Sequence, residues 1–405
     1  MVMKNLKEKA YAYALKNALS HNGKAVLGAV ISSLFHEGLK KNEAGKYAKK
    51  ISEIIQEVNN LSLEEQKKEF DKFEKNVSKR KVREGLPELP NAKKGKVVMR
   101  FAPSASGPLH IGHAATACIS FLYVKEYGGK FYVRIEDTNP ENVYKPAYKM
   151  IKEESQWLFD NTAKIIIQSD RMELYYKYIE KLIKKNAAYV CTCSQEGFKK
   201  FISEKKNCPC RKLSVKENLK KWKKMLDKSK NRFKQGEAVL RFKSNMKHKN
   251  PAMRDFPLAR INTKRHPRQG GKYKVWPLMN LAVAVDDIEQ GMTHVIRAKD
   301  HRDNAVRQKM IYKALGVLKK FPWTAFLGRI KFKDMELSTT KIREAIEQGK
   351  YSGWDDERLP TIASLKKRGY KPSAFWKFAE HVGLSESDKV MDKKEYFMLL
   401  DNFNT

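Results

Sequence analysis

Apolar residues recur at helical spacing through the first ninety positions, at Tyr11, Leu15, Ala18 and Leu19 and again at Ile51, Ile54, Ile55 and Val58, with Lys and Glu between them. Steps of three and four put each set on one helix face, so residues 1–90 are predicted to form a small helical module. Two prolines and a glycine in Leu86-Pro-Glu-Leu-Pro-Asn-Ala-Lys-Lys-Gly95 mark a linker, with a new domain expected from Lys96. There the pattern changes. Lys96–Phe101 and Phe131–Ile135 read as buried strands, and Ala114–Tyr127 and Ala147–Phe159 read as helices. Such alternation predicts an α/β domain with a parallel sheet covered by helices. It breaks near Tyr189 and returns near Trp276, with a strand ending at Val295 and Ile296 and a helix from about Asp303 to Leu315. An insertion within the sheet domain accounts for the interruption. The divisions expected are 96–190 and 274–335 for the two halves of the sheet domain, 191–273 for the insertion, and 336–405 for a largely helical end.

Charge sharpens this picture. Lys and Arg number 83 against 46 Asp and Glu, a formal charge of +37 in 405 residues. Between Lys199 and Lys249 alone there are 19 basic and 4 acidic residues. An excess of that size favours a polyanionic partner, because basic faces neutralise phosphates and release counterions. The sequence has neither a run of 18 apolar residues nor a secretory leader, so a cytoplasmic protein without a membrane partner is expected. Four of the five cysteines, Cys191, Cys193, Cys208 and Cys210, crowd into the insertion. In a reducing compartment four thiolates so placed suit a tetrahedral Zn²⁺ better than disulfides.

The densest chemistry lies in Arg100-Phe-Ala-Pro-Ser-Ala-Ser-Gly-Pro-Leu-His-Ile-Gly-His-Ala114, between a predicted strand and a predicted helix. Gly107 and Pro108 make a turn, and the helix that follows offers free backbone N–H groups and its positive dipole end to a phosphate. His110 and His113, three residues apart, share one side of the first turn and can donate to phosphate oxygens as charge develops.

His110-Ile-Gly-His113 resembles the HIGH signature of class I aminoacyl-tRNA synthetases. Phe101-Ala-Pro-Ser104, Arg134-Ile-Glu-Asp-Thr-Asn-Pro140, Gln168-Ser-Asp-Arg-Met172 and Gly353-Trp-Asp-Asp356 with Arg358-Leu-Pro-Thr361 are similar to the glutamyl and glutaminyl branch, especially its archaeal members. The N-terminal module, with Lys16-Asn-Ala and His21-x-Gly-Lys24, is similar to the archaeal glutamyl enzymes. The resemblance implies a Rossmann-like catalytic domain with an inserted acceptor-binding domain. It also implies ATP-dependent joining of glutamate to the 3′ end of tRNA through glutamyl-adenylate, with Mg²⁺ accompanying ATP. Glutaminyl-tRNA synthetase and a non-catalytic tRNA-binding scaffold are the alternatives.

Residue by residue, the resemblance places Arg100 on the glutamate side-chain carboxylate and Arg297 near the α-carboxylate. Glu136 falls on the amino group, with Ser104 beside it. Bacterial relatives have a tyrosine near Trp276-Pro-Leu-Met-Asn280; here Met279 stands in the nearest register, and Asn280 is the expected replacement contact. Val283-Ala-Val-Asp-Asp287 is similar to a family strand ending in paired aspartates. Gly107, His110, Gly112 and His113 fall on ATP. The KMSKS signature is altered to Met335-Glu-Leu-Ser-Thr-Thr-Lys341, which keeps Ser338 and leaves Lys341 as the expected triphosphate cation; a helix cap at Ser338 is the competing reading. In the insertion, Arg211, Lys212, Lys220, Lys221, Lys223, Lys224 and Asp255 are expected near the acceptor end of tRNA. Archaeal relatives continue into anticodon-reading β-barrels. The chain is therefore expected to be a catalytic half, a shortened form, or one part of a split enzyme whose anticodon-binding portion is a separate chain.

Overall fold

The computed structural model describes residues 6–40, 42–78 and 85–405. They form two units, divided within the segment that follows residue 78. In the first, α1 (Leu6–Leu19) packs against α2 (Leu27–His36), α3 (Ala44–Asn59) and α4 (Leu63–Phe73). Leu15 and Ala18 of α1 and Ile51, Ile54, Ile55 and Val58 of α3 are buried together, as the spacing predicts. Ser62 and Glu65 form a reciprocal cap at the start of α4. The expected linker is not a tether. Leu89 is buried against the sheet domain, where Tyr123 donates to the Pro87 carbonyl at 2.8 Å and the Leu89 N–H donates to Tyr127 at 3.1 Å. Residues 86–95 thus belong to the second unit, and the module ends earlier than residue 90.

The second unit starts with β1 (Val97–Phe101), α5 (Ile111–Tyr127), β2 (Gly129–Ile135), α6 (Ala147–Leu158) and β3 (Lys164–Ile167), the three strands pairing in parallel in that order. Gly129 opens β2 at φ 145°, where a Cβ would meet the Val97 carbonyl oxygen at 1.9 Å; only glycine lets β2 start this close to β1. After α7 (Met172–Lys184) the insertion begins, and it is sheet-built. β4 (Ala188–Cys191), β5 (Val239–Phe242), β6 (Pro257–Ile261) and β7 (Val275–Pro277) pair antiparallel, with α8 (Gln195–Ser203) and α9 (Val215–Leu226) between β4 and β5. Contrary to the expectation of a segment bounded by 191 and 273, it spans 188–277 and buries Trp222, Leu240, Phe242, Phe256 and Leu258 in an apolar core continuous with α7 and the helix after β7.

After α10 (Met279–Glu289) come β8 (His294–Ala298), α11 (Arg302–Leu315) and β9 (Trp323–Leu327), and β8 and β9 pair in parallel as a separate two-stranded sheet. β8 enters beside β1, where the Thr293 N–H donates to the Val98 carbonyl at 3.0 Å. The chain then forms β10 (Ile330–Phe332), α12 (Thr339–Glu347), α13 (Ile362–Lys367), α14 (Pro372–Val382), β11 (Lys389–Met391) and α15 (Lys393–Phe403). The packing of α14 on α5 puts this end of the chain against the first crossover helix. Among the described residues no helix is long and apolar enough to cross a membrane.

Candidate active site

The loop from β1 to α5 is held on both sides. On one, the Glu136 N–H donates to the Pro103 carbonyl at 2.8 Å and the Ala105 N–H donates to the Glu136 carbonyl at 3.0 Å, which prolongs the β1–β2 ladder. On the other, the Ile111 N–H donates to the Pro360 carbonyl at 3.1 Å and the Ile362 N–H donates to the Leu109 carbonyl at 2.9 Å, so the Gly353–Thr361 segment docks beside the histidines. A buried carboxyl completes the support: Glu154 of α6 accepts from the Leu109 N–H at 2.6 Å.

His110 caps α5, its Nδ1 accepting from the Gly112 N–H at 3.1 Å, and His113 Nδ1 accepts from the His110 N–H at 3.4 Å. Burial pushes both imidazoles down, His110 also through its neighbour His113, and His113 reaches about 4. Both rings are neutral at physiological pH. With Nδ1 accepting on each, the network assigns the proton to Nε2, which is left as donor. Gly107 lies under the altered signature loop; a Cβ there would come within 2.9 Å of the Thr339 side chain.

Beyond His113 a cavity of about 280 Å³ is lined by Arg100, Ser104, Glu136, Met279 and Arg297, among others. Arg100 enters from the end of β1 with its guanidinium on one carboxylate: Nε to Asp287 Oδ1 at 3.1 Å and Nη2 to Asp287 Oδ2 at 3.3 Å. Arg134, buried in β2, donates to the same carboxylate at 2.7 Å. Burial opposes the charge on Asp287, yet Arg100 and Arg134 outweigh it and hold that carboxyl below its usual range. The neighbouring Asp286 takes Arg171 Nε at 2.7 Å, Tyr175 Oη at 2.8 Å and Gln168 Nε2 at 2.9 Å.

Arg297 differs. Its Nη1 donates to the neutral Gln308 at 2.9 Å, and its buried Nε has no hydrogen-bond partner among the described residues. Burial, then the nearby Arg100, pulls this guanidinium down to about 10. Glu136, at the mouth of β2, has its carboxyl raised by burial against the pull of Arg134, Arg100 and Arg297. The cavity therefore presents one carboxylate-balanced arginine, one arginine without a carboxylate partner among the described residues, and one carboxyl, a set complementary to a small molecule carrying two anionic groups and an ammonium.

Some expected contacts lie elsewhere. Val283–Asp287 is not a strand but part of α10, and its aspartates are buried ion-pair partners rather than turn residues. Met279 lines the cavity, whereas Asn280 accepts from Gln308 at 3.3 Å and donates to Asn304 at 3.2 Å, one layer behind Arg297. Ser338 caps α12 by accepting from the Lys341 N–H at 3.4 Å, and Lys341 Nζ pairs with Glu336 at 3.0 Å. The cap reading of that loop holds, and Lys341 is not among the residues lining the cavity. A second hollow of about 210 Å³, sharing Gly112, Thr116 and Ala298 with the first, is lined by Arg329, Lys331 and Lys389. Sequence reading missed these cations because no motif contains them.

In the insertion, the sulfurs of Cys191, Cys193, Cys208 and Cys210 all lie within 4.8 Å of one another. The Cys191–Cys208 and Cys193–Cys210 separations are both 3.9 Å. Zn–S bonds of about 2.3 Å set a tetrahedral edge near ~3.8 Å, so the four residues fit a metal of that size. A hydrogen bond with Cys191 and another with Tyr189 bring the Cys208 thiol down to about 5 against the effect of burial. Asp255, expected at the RNA surface, is fully buried; it accepts from Tyr189 at 2.8 Å and from the Ser244 N–H at 2.7 Å, and its ion pair with Arg211 ties up that residue too. Both are internal supports of the cysteine-bearing loops. Lys212, Lys220, Lys223 and Lys224 are exposed and Lys221 is half-buried, while Trp222 and Met225 turn α9 inward.

The family model for the catalytic domain of class I tRNA synthetases (E and Q) matches residues 96–402. The glutamate–tRNA ligase of Methanobrevibacter smithii is 44% identical over 404 residues, covering 99% of this chain and 71% of that protein. That of Pyrococcus abyssi is 45% identical, covering 94% of this chain and 68% of that protein. Among solved structures, a glutamate tRNA ligase from Elizabethkingia meningosepticum in complex with its amino acid superposes with a TM-score of 0.50 at 24% identity. The likeness covers 70% of this chain and 60% of that one. The glutamate-tRNA synthetase of Elizabethkingia anophelis gives a TM-score of 0.51 at 22% identity, covering 75% of this chain and 70% of that one. At those identities the structures speak for the fold. With the family model spanning most of the chain and relatives matching nearly all of it, this chain belongs to the class I tRNA synthetases of the glutamyl and glutaminyl (E and Q) family.

Proposed function

We propose that this chain joins glutamate to the 3′ end of a tRNA at the expense of ATP, through glutamyl-adenylate. The observation that carries the proposal is the charge pattern of the cavity. Arg297 has no carboxylate partner, Arg100 keeps Nη1 free of hydrogen bonds among the described residues, and Glu136 faces both. Glutamate matches that pattern, with one carboxylate on each arginine and its ammonium on Glu136 beside Ser104. The assignment of Arg297 to the α-carboxylate and Arg100 to the side chain follows the family resemblance.

Class I activation needs no protein nucleophile. The α-carboxylate oxygen attacks the α-phosphorus of ATP, pyrophosphate leaves, and a ribose hydroxyl of the terminal nucleotide then takes the acyl group with release of AMP. Protein catalysis is positioning and charge stabilisation. The N-terminus of α5 and the Nε2–H groups of His110 and His113 face the developing phosphorane charge, and Mg²⁺ arrives bound to the triphosphate. Arg329, Lys331 and Lys389 line the adjoining hollow, Arg329 paired with Asp300 and Lys331 with Asp388, whereas Lys341 does not line it. The exposed lysines of α9 serve the RNA backbone, and the four cysteines hold a structural Zn²⁺ that ties their loops together.

Charging of tRNA with glutamate and glutamine, run side by side with ATP, tests the reading. Ester formation with glutamate and little with glutamine is expected. A preference for glutamine, or no ATP-dependent charging, would overturn it.

A further inference from the structure

We infer that Asp287 is a positioning residue for amino-acid recognition: by gripping two nitrogens of Arg100 it aims the third into the cavity. This rests on the reading of Arg100 as the contact for the glutamate side chain. Arg100 reaches the cavity on a flexible stem, and a guanidinium held by a single bond would be free to turn. The paired contacts of Nε at 3.1 Å and Nη2 at 3.3 Å with the two Asp287 oxygens fix its plane, since a fork-to-fork pair leaves one in-plane orientation. Nη1 is then the nitrogen presented to a ligand.

Asp287 is itself anchored. Arg134 donates to its Oδ1 at 2.7 Å, and Arg134 is fully buried, so the carboxylate cannot follow Arg100 if a ligand pulls on it. α10 separates two tasks on consecutive residues, which leave a helix about 100° apart. Asp287 faces the cavity arginine. Asp286 faces Arg171, Gln168 and Tyr175, and its reach to that side of the network is a 3.6 Å approach to Arg134. Asp286 therefore serves as an internal control, equally buried and charged but out of contact with Arg100.

Steady-state charging kinetics of Asp287→Asn, Asp286→Asn, Arg100→Gln and the Arg100→Gln/Asp287→Asn double variant test the inference, with melting temperatures measured alongside. Asp287→Asn keeps the size and one acceptor and loses the paired grip. Expected is a rise of about tenfold in KM for glutamate, with KM for ATP unchanged and kcat within a few-fold. Asp286→Asn should lower the melting temperature and leave KM for glutamate where it was. The double variant should be no worse for glutamate than Arg100→Gln alone, because Asp287 acts through Arg100. Should Asp287→Asn not fold, Asp287→Glu replaces it, and the same selective rise is expected from a guanidinium displaced by one methylene. Equal KM effects at 286 and 287, or losses that multiply in the double variant, would overturn the positioning role. An unchanged KM for glutamate in Arg100→Gln would instead remove the assignment of Arg100 on which the inference stands.

Discussion

The imidazoles of His110 and His113 lie face to face, with ring centres 3.7 Å apart and planes 23° from parallel. Two protonated rings would repel at that distance, and burial disfavours the charge on each, so both are neutral at physiological pH. Each then has an Nε2–H to give and no net charge to offer.

Donors of this kind act on charge that appears in the transition state, so His110→Ala or His113→Ala should slow adenylate formation while ATP binding changes little. The loss of one such donor costs roughly 3 kcal/mol, about a hundredfold in rate. Single-turnover formation of glutamyl-adenylate, measured in the presence of tRNA, checks it; a rate within a few-fold of the parent would remove both histidines from catalysis.

Much of this site could be read along the chain, and the unread part has physical causes. The strand–turn–helix holding His110 and His113 is local, so its residues announce it. The Asp287–Arg100 pair joins residues 187 positions apart, which leaves no local trace. The resemblance implies a strand at Val283–Asp287 where the chain forms α10, and nothing in the local pattern corrects it: Leu281 to Val285 are all buried, and a helix buried all round loses the amphipathic period that identifies helices. In the insertion, strands of three to five residues are too short to show alternation against so many lysines. Motif position alone points to Lys341, while its pairing with Glu336 depends on the turn that Ser338 caps.

Glu154, beneath the histidine loop, should make stability pH-dependent in a direction unusual for an acid. Burial raises its carboxyl to about 8 from the 4.5 of a free glutamate, so the folded state binds its proton more tightly than the unfolded chain does. The stabilisation is fully present below about pH 4.5 and is lost as pH rises through about 8, by an amount on the order of a few kcal/mol. Glu154→Gln, which cannot ionise, should be spared that loss. Melting temperatures of parent and variant at pH 6 and pH 9 should diverge in the variant's favour at the higher pH; a constant difference would contradict the assignment.

Metal removal should act locally. A strong chelator is expected to release about one zinc per chain and to expose four more titratable thiols, while the parallel sheet domain keeps its helical signal. Metal analysis of protein purified without added zinc should give a ratio near one, and a ratio near zero would count against the four-cysteine centre.

The lysines of α9 should govern affinity rather than selectivity. Replacing Lys220, Lys223 and Lys224 by Gln should weaken tRNA binding and flatten its dependence on salt, because each phosphate contact contributes released counterions. Asp255→Asn is expected to act differently, lowering stability through its buried partners while the salt slope stays the same. Binding isotherms at several salt concentrations separate the two.

On the proposed function, the cavity between β1, β2 and β8 recognises glutamate through Arg297, which has no carboxylate partner among the described residues. The most direct measurement is ATP-dependent charging of tRNA with labelled glutamate by the parent and by Arg297→Gln, with glutamate varied to separate KM from kcat. Loss of the unbalanced guanidinium should reduce kcat/KM for glutamate by a hundredfold or more, consistent with the roughly 3 kcal/mol that a buried charged hydrogen bond provides, while KM for ATP stays close to the parent's. Charging of glutamate by Arg297→Gln at the parental kcat/KM would contradict the account.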